Sequence, residues 1–261
     1  MSEGDKNIIE TKGLTVGYGD RVVLHDINFT VRQGEVFAIL GRSGCGKSTL
    51  LKHMIGLYPP IAGEVWLEGK NLAEAQGEER RNLLRSFGVL YQGGALFGSM
   101  TVRENVRLPL DQFTDLPEQG KEMVVLSKLG LVGLAPAAQL LPARLSGGMQ
   151  KRAALARAMA LDPRILFLDE PSVGLDPVTA ASLDALILEL ARDFGITFVV
   201  VTHDLPSIDK IASRVLMLDG ESKTMIACGP PAELREHSPD PRVRAFFRRE
   251  PEAETTQTQL T

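Results

Sequence analysis

The feature that most restricts the fold of this chain is a glycine-rich segment that ends in lysine and serine. It matches the pattern G-x-x-x-x-G-K-[ST] and lies between a short apolar run, Val36–Leu40, and a helical stretch that begins near Lys47. Its residues are Gly41, Arg42, Ser43, Gly44, Cys45, Gly46, Lys47 and Ser48. Glycines allow a tight turn whose backbone N–H groups point at one spot, and the helix N-terminus adds partial positive charge there. The segment therefore predicts a strand, a phosphate-binding loop and a helix.

The side chains of this loop fit the chemistry of a bound nucleotide. Lys47 can neutralise the β and γ phosphate oxygens, and Ser48 can offer a hydroxyl to Mg²⁺, a hard cation that prefers oxygen ligands. We include the next residue, Thr49, in the same site. The alternative is a glycine-rich turn that matches the pattern by accident, and the flanking strand and helix argue against it.

The apolar runs of the chain predict a mixed α/β fold. Short runs at Val36–Leu40, 89–91, 165–168 and 198–201 are typical of buried strands, and stretches at 47–57, 118–129, 148–161 and 178–194 are typical of helices. Their alternation predicts a largely parallel sheet flanked by helices. Residues 8–31 and 64–67 alternate apolar and polar residues, which indicates an additional antiparallel sheet. Residues 99–142 are mostly helical, and we expect a helical subdomain there that extends into the next helix.

Composition excludes several other classes of protein. The chain has 261 residues, 44% of them hydrophobic and 24% charged, with a formal net charge of -4, so nucleic acid is not expected as its main partner. The longest clean apolar stretch, 196–201, is far shorter than the roughly 20 residues of a spanning helix, and the first twelve residues lack a signal-peptide pattern. We therefore expect a cytosolic chain. Cys45 and Cys228 are too few for a disulfide framework, and we expect both to be reduced.

Two carboxylates end a strand-like run at residues 165–168. Asp169 and Glu170 lie where ligands usually bind in a parallel sheet, at the carboxyl ends of the strands. We expect Asp169 to hold the Mg²⁺ shell and Glu170 to orient or deprotonate an attacking water. For Glu170, a solvated acid at the end of a strand is the alternative.

A further motif restricts the class of protein to which the chain can belong. The run Leu-Ser-Gly-Gly-Met-Gln at 145–150 opens a helix shortly before the acidic strand. Together with the phosphate loop and the acidic strand end, it resembles the signature of ABC ATPases. The resemblance runs from about residue 8 to residue 229. It implies a P-loop NTPase core of RecA-like type, ATP with Mg²⁺ as cofactor, and ATP hydrolysis coupled to transport.

The other motifs of that family also have counterparts in the chain. Tyr18 matches the aromatic residue that stacks on adenine, and Gln92 matches the glutamine that links the metal site to a transmembrane partner. Asp176 matches the aspartate loop and His203 the switch histidine. Each residue also has a structural alternative, since Tyr18 could pack under a turn and His203 could be a core histidine.

The signature residues imply a dimer. Ser146, Gly147 and Gly148 form a second anion site at a helix N-terminus, which the family uses for the nucleotide of a partner subunit. Two copies would then pack head to tail with ATP between them. A helix N-cap with a glycine-rich lead is the alternative. The chain departs from the common family pattern at Met149, where many members have glutamine, and at Gly174.

Three stretches resemble the ATPases of Mla and Mce type lipid transporters in particular. They are residues 92–102, 145–158 and 241–247. This resemblance implies a pair of membrane permeases, an Mce-domain protein that carries glycerophospholipids, and a location at the cytoplasmic face of the inner membrane. Importers of amino acids and exporters of lipoproteins share most of these positions, and a soluble assembly factor without a permease is a further alternative.

The last residues of the chain are predicted to form an extension of the main domain. We divide the sequence into an ABC ATPase domain at 8–240, with its helical subdomain at about 99–160, and a C-terminal extension at 241–261. Within the extension, Val243, Phe246 and Phe247 lie among arginines and predict a short helix that docks on an ATPase surface, its own or a partner's. Local packing under the last core helix is the alternative. Residues 250–261 are polar and lack periodicity, and we expect them to be disordered.

Overall fold

The computed structural model describes residues 6–250, which form two sheets and their flanking helices. In chain order the strands are β1 (Asn7–Tyr18), β2 (Arg21–Arg32), β3 (Val36–Leu40), β4 (Ala62–Leu67), β5 (Lys70–Asn71), β6 (Phe87–Leu90), β7 (Ile165–Asp169), β8 (Thr197–Val201), β9 (Arg214–Asp219) and β10 (Thr224–Gly229). The helices are α1 (Lys47–Met54), α2 (Gly77–Arg85), α3 (Val102–Phe113), α4 (Glu118–Leu131), α5 (Gly147–Ala158), α6 (Pro177–Phe194), α7 (Leu205–Ile211), α8 (Pro231–His237) and α9 (Pro241–Arg248).

The larger sheet carries the functional edge. Its strand order is β10-β9-β3-β8-β7-β6, with every neighbouring pair parallel except β10 and β9. Every residue of β3, β7 and β8 is buried, as expected for central strands that are covered on both faces. Because parallel strands end at the same edge, the residues after β3, β6, β7 and β8 meet there. This confirms the predicted α/β core.

The smaller sheet is antiparallel and packs over the phosphate-loop side of the core. Its strand order is β2-β1-β4-β5. Buried residues of β1 and β2, such as Leu14 and Ile27, share one apolar cluster with Leu50 of α1 and Phe167 of β7. The predicted antiparallel layer at 8–31 and 64–67 is therefore confirmed.

A group of helices fills the chain between β6 and β7. Helix α3 begins with a capping box, in which Thr101 and Glu104 bond each other's backbone N–H groups. Val106 of α3, Val125 of α4 and Ala154 of α5 are fully buried in one cluster, so these helices form a packed unit. They lie in the region predicted to be helical, 99–160.

Element boundaries differ from the sequence-based expectations in several places. Helix α1 ends at Met54 rather than at residue 57, and α5 spans Gly147–Ala158 rather than 148–161. Helix α2 and strands β9 and β10 were not predicted. Among the helices of residues 6–250, none combines the length and apolar character needed to cross a bilayer. Cys45 and Cys228 are both free thiols, as expected.

The predicted C-terminal helix is present as α9, and its apolar face packs on its own chain. Val243 and Phe247 are buried against Leu40 of β3, Ile208 of α7 and Met217 of β9. Arg242 adds an ion pair to Asp219 at 2.9 Å. Apart from Glu250, whose N–H bonds to the Ala245 carbonyl, the segment expected to be disordered lies outside the described residues.

Candidate active site

The phosphate loop joins β3 to α1 and requires glycine at two positions for steric reasons. A Cβ at Gly41 would lie 2.5 Å from Cys45 Sγ and 2.6 Å from the Leu218 carbonyl oxygen. Gly46, the residue before α1, has a φ of 107°, a conformation that other residues avoid. The loop can therefore approach a ligand with its backbone while α1 directs its N-terminus toward it.

Lys47 and Cys45 lie inside this loop. Lys47 is only 7% exposed, and its Nζ donates to the Gly41 and Arg42 carbonyl oxygens at 2.8 and 3.0 Å. The ammonium is thus held where phosphate oxygens would meet the loop. Burial raises the pKa of the Cys45 thiol, so this side chain stays neutral in the loop at physiological pH.

Ser48 and Asp169 meet across the site although they are far apart in sequence. Ser48 Oγ donates to Asp169 Oδ1 at 3.0 Å. Burial raises the pKa of Asp169, and the hydrogen bond from Ser48 partly opposes that effect. A hydroxyl and a carboxylate at this distance form a set of oxygen ligands that suits Mg²⁺.

Glu170 is held through both its backbone and its side chain. Its backbone has a φ of 48°, an uncommon conformation for a residue with a side chain, and its N–H donates to the Val201 carbonyl at 2.8 Å. Its Oε1 is 2.8 Å from His203 Nδ1, which is the donor when the carboxylate is ionised. Its Oε2 is buried and has no hydrogen-bond partner. One carboxylate oxygen is therefore fixed by His203, and the other is buried without a hydrogen-bond donor.

Most of the predicted site residues line a single cleft of about 760 Å³, a size that suits a nucleotide. Its lining contains the predicted residues Tyr18, Gly41, Arg42, Ser43, Gly44, Gly46, Lys47, Ser48, Thr49, Gln92, Glu170 and His203. Asp169 adjoins the cleft through Ser48. The lining also includes Phe246 of α9, for which the sequence predicts a docking surface only.

The Tyr18 ring is held in place by contacts with residues that the sequence does not single out. Tyr18 is 41% exposed, and its ring meets that of Tyr58 edge to face with centroids 5.2 Å apart. His53, which is almost fully buried, bonds through Nδ1 to the Thr49 carbonyl at 2.8 Å and accepts from the Gly17 N–H at 3.5 Å. His53 therefore joins α1 to the turn that carries Tyr18.

The predicted signature residues lie outside this cleft. Ser146 caps α5 by accepting from the Met149 N–H at 3.3 Å. Gly148 packs so closely against α6 that a Cβ there would lie 2.3 Å from Thr179 Cγ2. Glycine at this position therefore allows α5 to pack closely against Thr179 of α6.

Asp176 also lies outside the cleft, at the start of α6. Its carboxylate accepts from the Val178 and Thr179 N–H groups, both at 3.0 Å, and from Thr179 Oγ1 at 2.5 Å. These hydrogen bonds, with Thr179 first among them, lower the pKa of Asp176. The aspartate is thus held ionised at the segment that joins the site to α6.

The loop that follows β6 is fixed by side chains of α3 and α5. Lys151 Nζ bonds to the Gln92 carbonyl, and Arg157 donates to the Gly94 and Ala95 carbonyls at 2.9 and 2.7 Å. Asn105, which is fully buried, bonds to the carbonyls of residues 97, 100 and 101. The exposed segment after Gln92 therefore has a defined backbone.

Comparisons with known proteins agree on one family. The family model described as ABC transporter matches residues 24–173. The ATP-binding protein MlaF of the intermembrane phospholipid transport system of Escherichia coli is 40% identical over 247 residues, which cover 95% of this chain and 91% of MlaF. The probable ribonucleotide transport ATP-binding protein mkl of Mycobacterium tuberculosis is also 40% identical, over 92% of this chain and 66% of mkl.

Solved structures give the same fold. The dimeric, post-hydrolysis structure of the ATP-binding cassette MJ0796, bound to ADP and Pi, superposes with a TM-score of 0.76. It is 30% identical in sequence, and the match covers 85% of this chain and 98% of that cassette.

Proposed function

The chain belongs to the ABC transporter family as an ATP-binding, ATP-hydrolysing subunit, and from this premise we propose that its hydrolysis of ATP drives the movement of phospholipid between membranes. The proposed site rests on two hydrogen-bonded pairs of side chains that lie at the same edge of the larger sheet. Ser48 is bonded to Asp169, and Glu170 is bonded to His203. The phosphate loop lies beside both pairs in the same cleft.

The arrangement assigns a role to each group. Lys47 and the loop N–H groups bind the β and γ phosphates and stabilise the charge that develops during transfer. The Glu170 carboxylate orients a water and accepts its proton, while His203 fixes Oε1 of that carboxylate. Tyr18 supports the adenine ring by stacking. Phosphoryl transfer depends mainly on such positioning and charge stabilisation.

The residues present fit a magnesium ion. Ser48 Oγ and Asp169 Oδ1 offer two oxygen ligands 3.0 Å apart, and the side chain of Gln92 is exposed on the same cleft. We assign the ion to Ser48, Asp169 and Gln92. When bound, it would neutralise negative charge on the β and γ phosphates.

A homodimer follows from the position of the signature. Ser146, Gly147 and Gly148 start α5 away from their own nucleotide cleft, so they are available to a nucleotide held by another subunit. The dimeric structure of the related MJ0796 cassette supports this arrangement. Asp176 lies at the start of α6, which packs against Gly148, so we place it at the same interface.

The segment 92–102 is proposed to dock a permease at the cytoplasmic face of a bacterial inner membrane. Phe97 is 50% exposed although its backbone is fixed on both sides by Asn105. Beside it lies a cleft of about 380 Å³ lined in part by Met100 and Arg103. An apolar side chain on a rigid loop next to a cleft suits the short helix of a permease.

The name of MlaF supports phospholipid as the substrate, and an Mce-domain protein as the further partner is part of the same proposal. A ribonucleotide is the second candidate substrate, because mkl is equally similar in sequence. Only about two thirds of mkl is covered, whereas nearly all of MlaF is covered, which favours phospholipid. The chain itself supplies energy and does not contact the substrate.

Two substitutions test the proposed site. Lys47→Ala should abolish steady-state ATP hydrolysis, because the β and γ charge loses its compensation. Glu170→Gln should bind ATP normally but stop hydrolysis, since an amide cannot accept the proton, and ATP with Mg²⁺ should trap it as a dimer in size-exclusion chromatography. Unchanged hydrolysis in Lys47→Ala would remove the phosphate-loop assignment, and a monomeric Glu170→Gln variant would remove the ATP-bridged dimer.

A further inference from the structure

We propose that Lys151 is a positioning residue for ATP hydrolysis, because its buried ammonium joins the backbone of Gln92 to the backbone of Glu170. The inference rests on the proposed role of Glu170 in hydrolysis. Lys151 itself does not contact the nucleotide cleft. It acts through the two residues whose carbonyl groups it binds.

Lys151 connects helix α5 to the residues that follow strands β6 and β7. The residue lies in the second turn of α5, near the signature, and is only 7% exposed. Its Nζ bonds to the Gln92 carbonyl and donates to the Glu170 carbonyl at 3.3 Å. Gln92 follows β6 and Glu170 follows β7, so one ammonium group holds both ends.

A position that only needs packing would be less stable with a buried ammonium than with an apolar side chain. Lys151 is only 7% exposed, so its ammonium has lost most of its contact with water. Among residues 6–250, Lys151 forms no salt bridge within 4.0 Å, and its described partners are the two carbonyl oxygens. An apolar helix residue would avoid the desolvation cost, so the contacts with these carbonyls explain the lysine better than packing does.

The backbone of Glu170 requires this kind of support. A left-handed conformation is unfavourable for a non-glycine residue and persists where surrounding contacts fix it. The N–H of Glu170 is fixed by Val201, its side chain by His203, and its carbonyl by Lys151 together with the Val173 N–H. Loss of the ammonium would leave the carbonyl with the Val173 N–H alone and allow the carboxylate to rotate away from the reacting water.

The loop after Gln92 is attached to the same helix at a second point. Arg157 holds the Gly94 and Ala95 carbonyls, and Ala95 is itself left-handed with a φ of 50°. Helix α5 therefore binds this loop through Arg157 and binds the Glu170 carbonyl through Lys151. The position of the loop and that of the carboxylate are thereby linked through one helix.

The test is a kinetic comparison of Lys151→Met with the parent in the full-length chain. Methionine keeps the length and packing of the side chain but cannot donate. Because misplacement of a catalytic group by about 1 Å costs roughly 100-fold in rate, we expect kcat to fall by about 10- to 100-fold. The Kd for ATP and the ATP-dependent dimer of the double variant with Glu170→Gln should stay as in Glu170→Gln alone.

Lys121→Met is the matched control. Lys121 lies in α4 of the same helical region, is also largely buried, and bonds to Asp111 at 2.8 Å away from the nucleotide cleft. This variant should keep the parent kcat. Lys151→Arg, which restores a donor and a charge, should recover part of the rate lost in Lys151→Met.

The outcomes separate this inference from the proposed function. A Lys151→Met kcat within about twofold of the parent, or an equal loss in Lys121→Met, would overturn the positioning role. The ATPase site would still be established if the parent hydrolyses ATP and the Lys47→Ala variant does not. If Lys151→Met does not fold, Lys151→Leu, which also cannot donate a hydrogen bond, replaces it. That variant should also lose kcat with an unchanged Kd for ATP, and a parent-like kcat would overturn the proposal.

Discussion

The packing of α9 on the core gives a prediction whose size can be worked out from the structure. Phe247 is 6% exposed, and its ring lies among Leu40, Ile208 and Met217 with the Arg235 guanidinium 5.7 Å from its centroid. Truncation of such a ring typically costs about 3–5 kcal/mol, from lost burial and from the cavity left behind. For a chain of this size each kcal/mol lowers Tm by about 2–4 °C, so Phe247→Ala should lower Tm by roughly 6–20 °C.

The neighbouring phenylalanine provides the matched control. Phe246 lies on the same helix turn but is only partly buried, and its ring lines the nucleotide cleft. Phe246→Ala should therefore lower Tm by clearly less than Phe247→Ala does. Differential scanning calorimetry and urea unfolding of the two purified variants would measure the difference. Equal Tm values for the two variants would show that the packing of α9 on its own chain does not account for the contribution of α9 to stability.

Three further predictions follow from other contacts. His53→Leu should raise the KM for ATP several-fold and leave kcat unchanged, because the turn of Tyr18 loses its link to α1; a lowered kcat at constant KM would argue against this role. Phe97→Asp should hydrolyse ATP normally but fail to co-purify with a permease from detergent-solubilised membranes, since it would bury an unpaired carboxylate at about 3–5 kcal/mol. Burial raises the pKa of Asp184, so its ionised form is destabilising above the folded-state pKa; Asp184→Asn should raise Tm at pH 7, and the gain should disappear at a pH below the unfolded-state pKa of about 3.9.

Much of the site could be predicted because its motifs are local and its strands are parallel. The glycine and lysine pattern of the phosphate loop depends on the backbone of eight consecutive residues. The contact between Ser48 and Asp169 joins positions 121 residues apart, yet it follows from the rule that parallel strands end at one edge. The Glu170 and His203 pair follows from the same rule.

The missed residues depend on packing that no local pattern records. Lys151 lies between Gln150 and Arg152 in the sequence and so resembles a solvated lysine, and only the position of α5 against two strand ends reveals its buried contacts. Helix α2 was missed because Leu83 is its only buried residue, which leaves no apolar periodicity. Strand β10 is partly exposed along its whole length and so shows no alternation.

The most direct test of the central claim is lipid transfer by the complete transporter. The full-length chain would be purified from its native membranes together with the permease that it binds, and the complex would be reconstituted into vesicles that contain a fluorescent phospholipid. The account predicts phospholipid movement that requires ATP and Mg²⁺ and that stops when the complex carries Glu170→Gln. Recovery of an amino-acid permease in that complex, or ATP hydrolysis without any phospholipid movement, would contradict the claim.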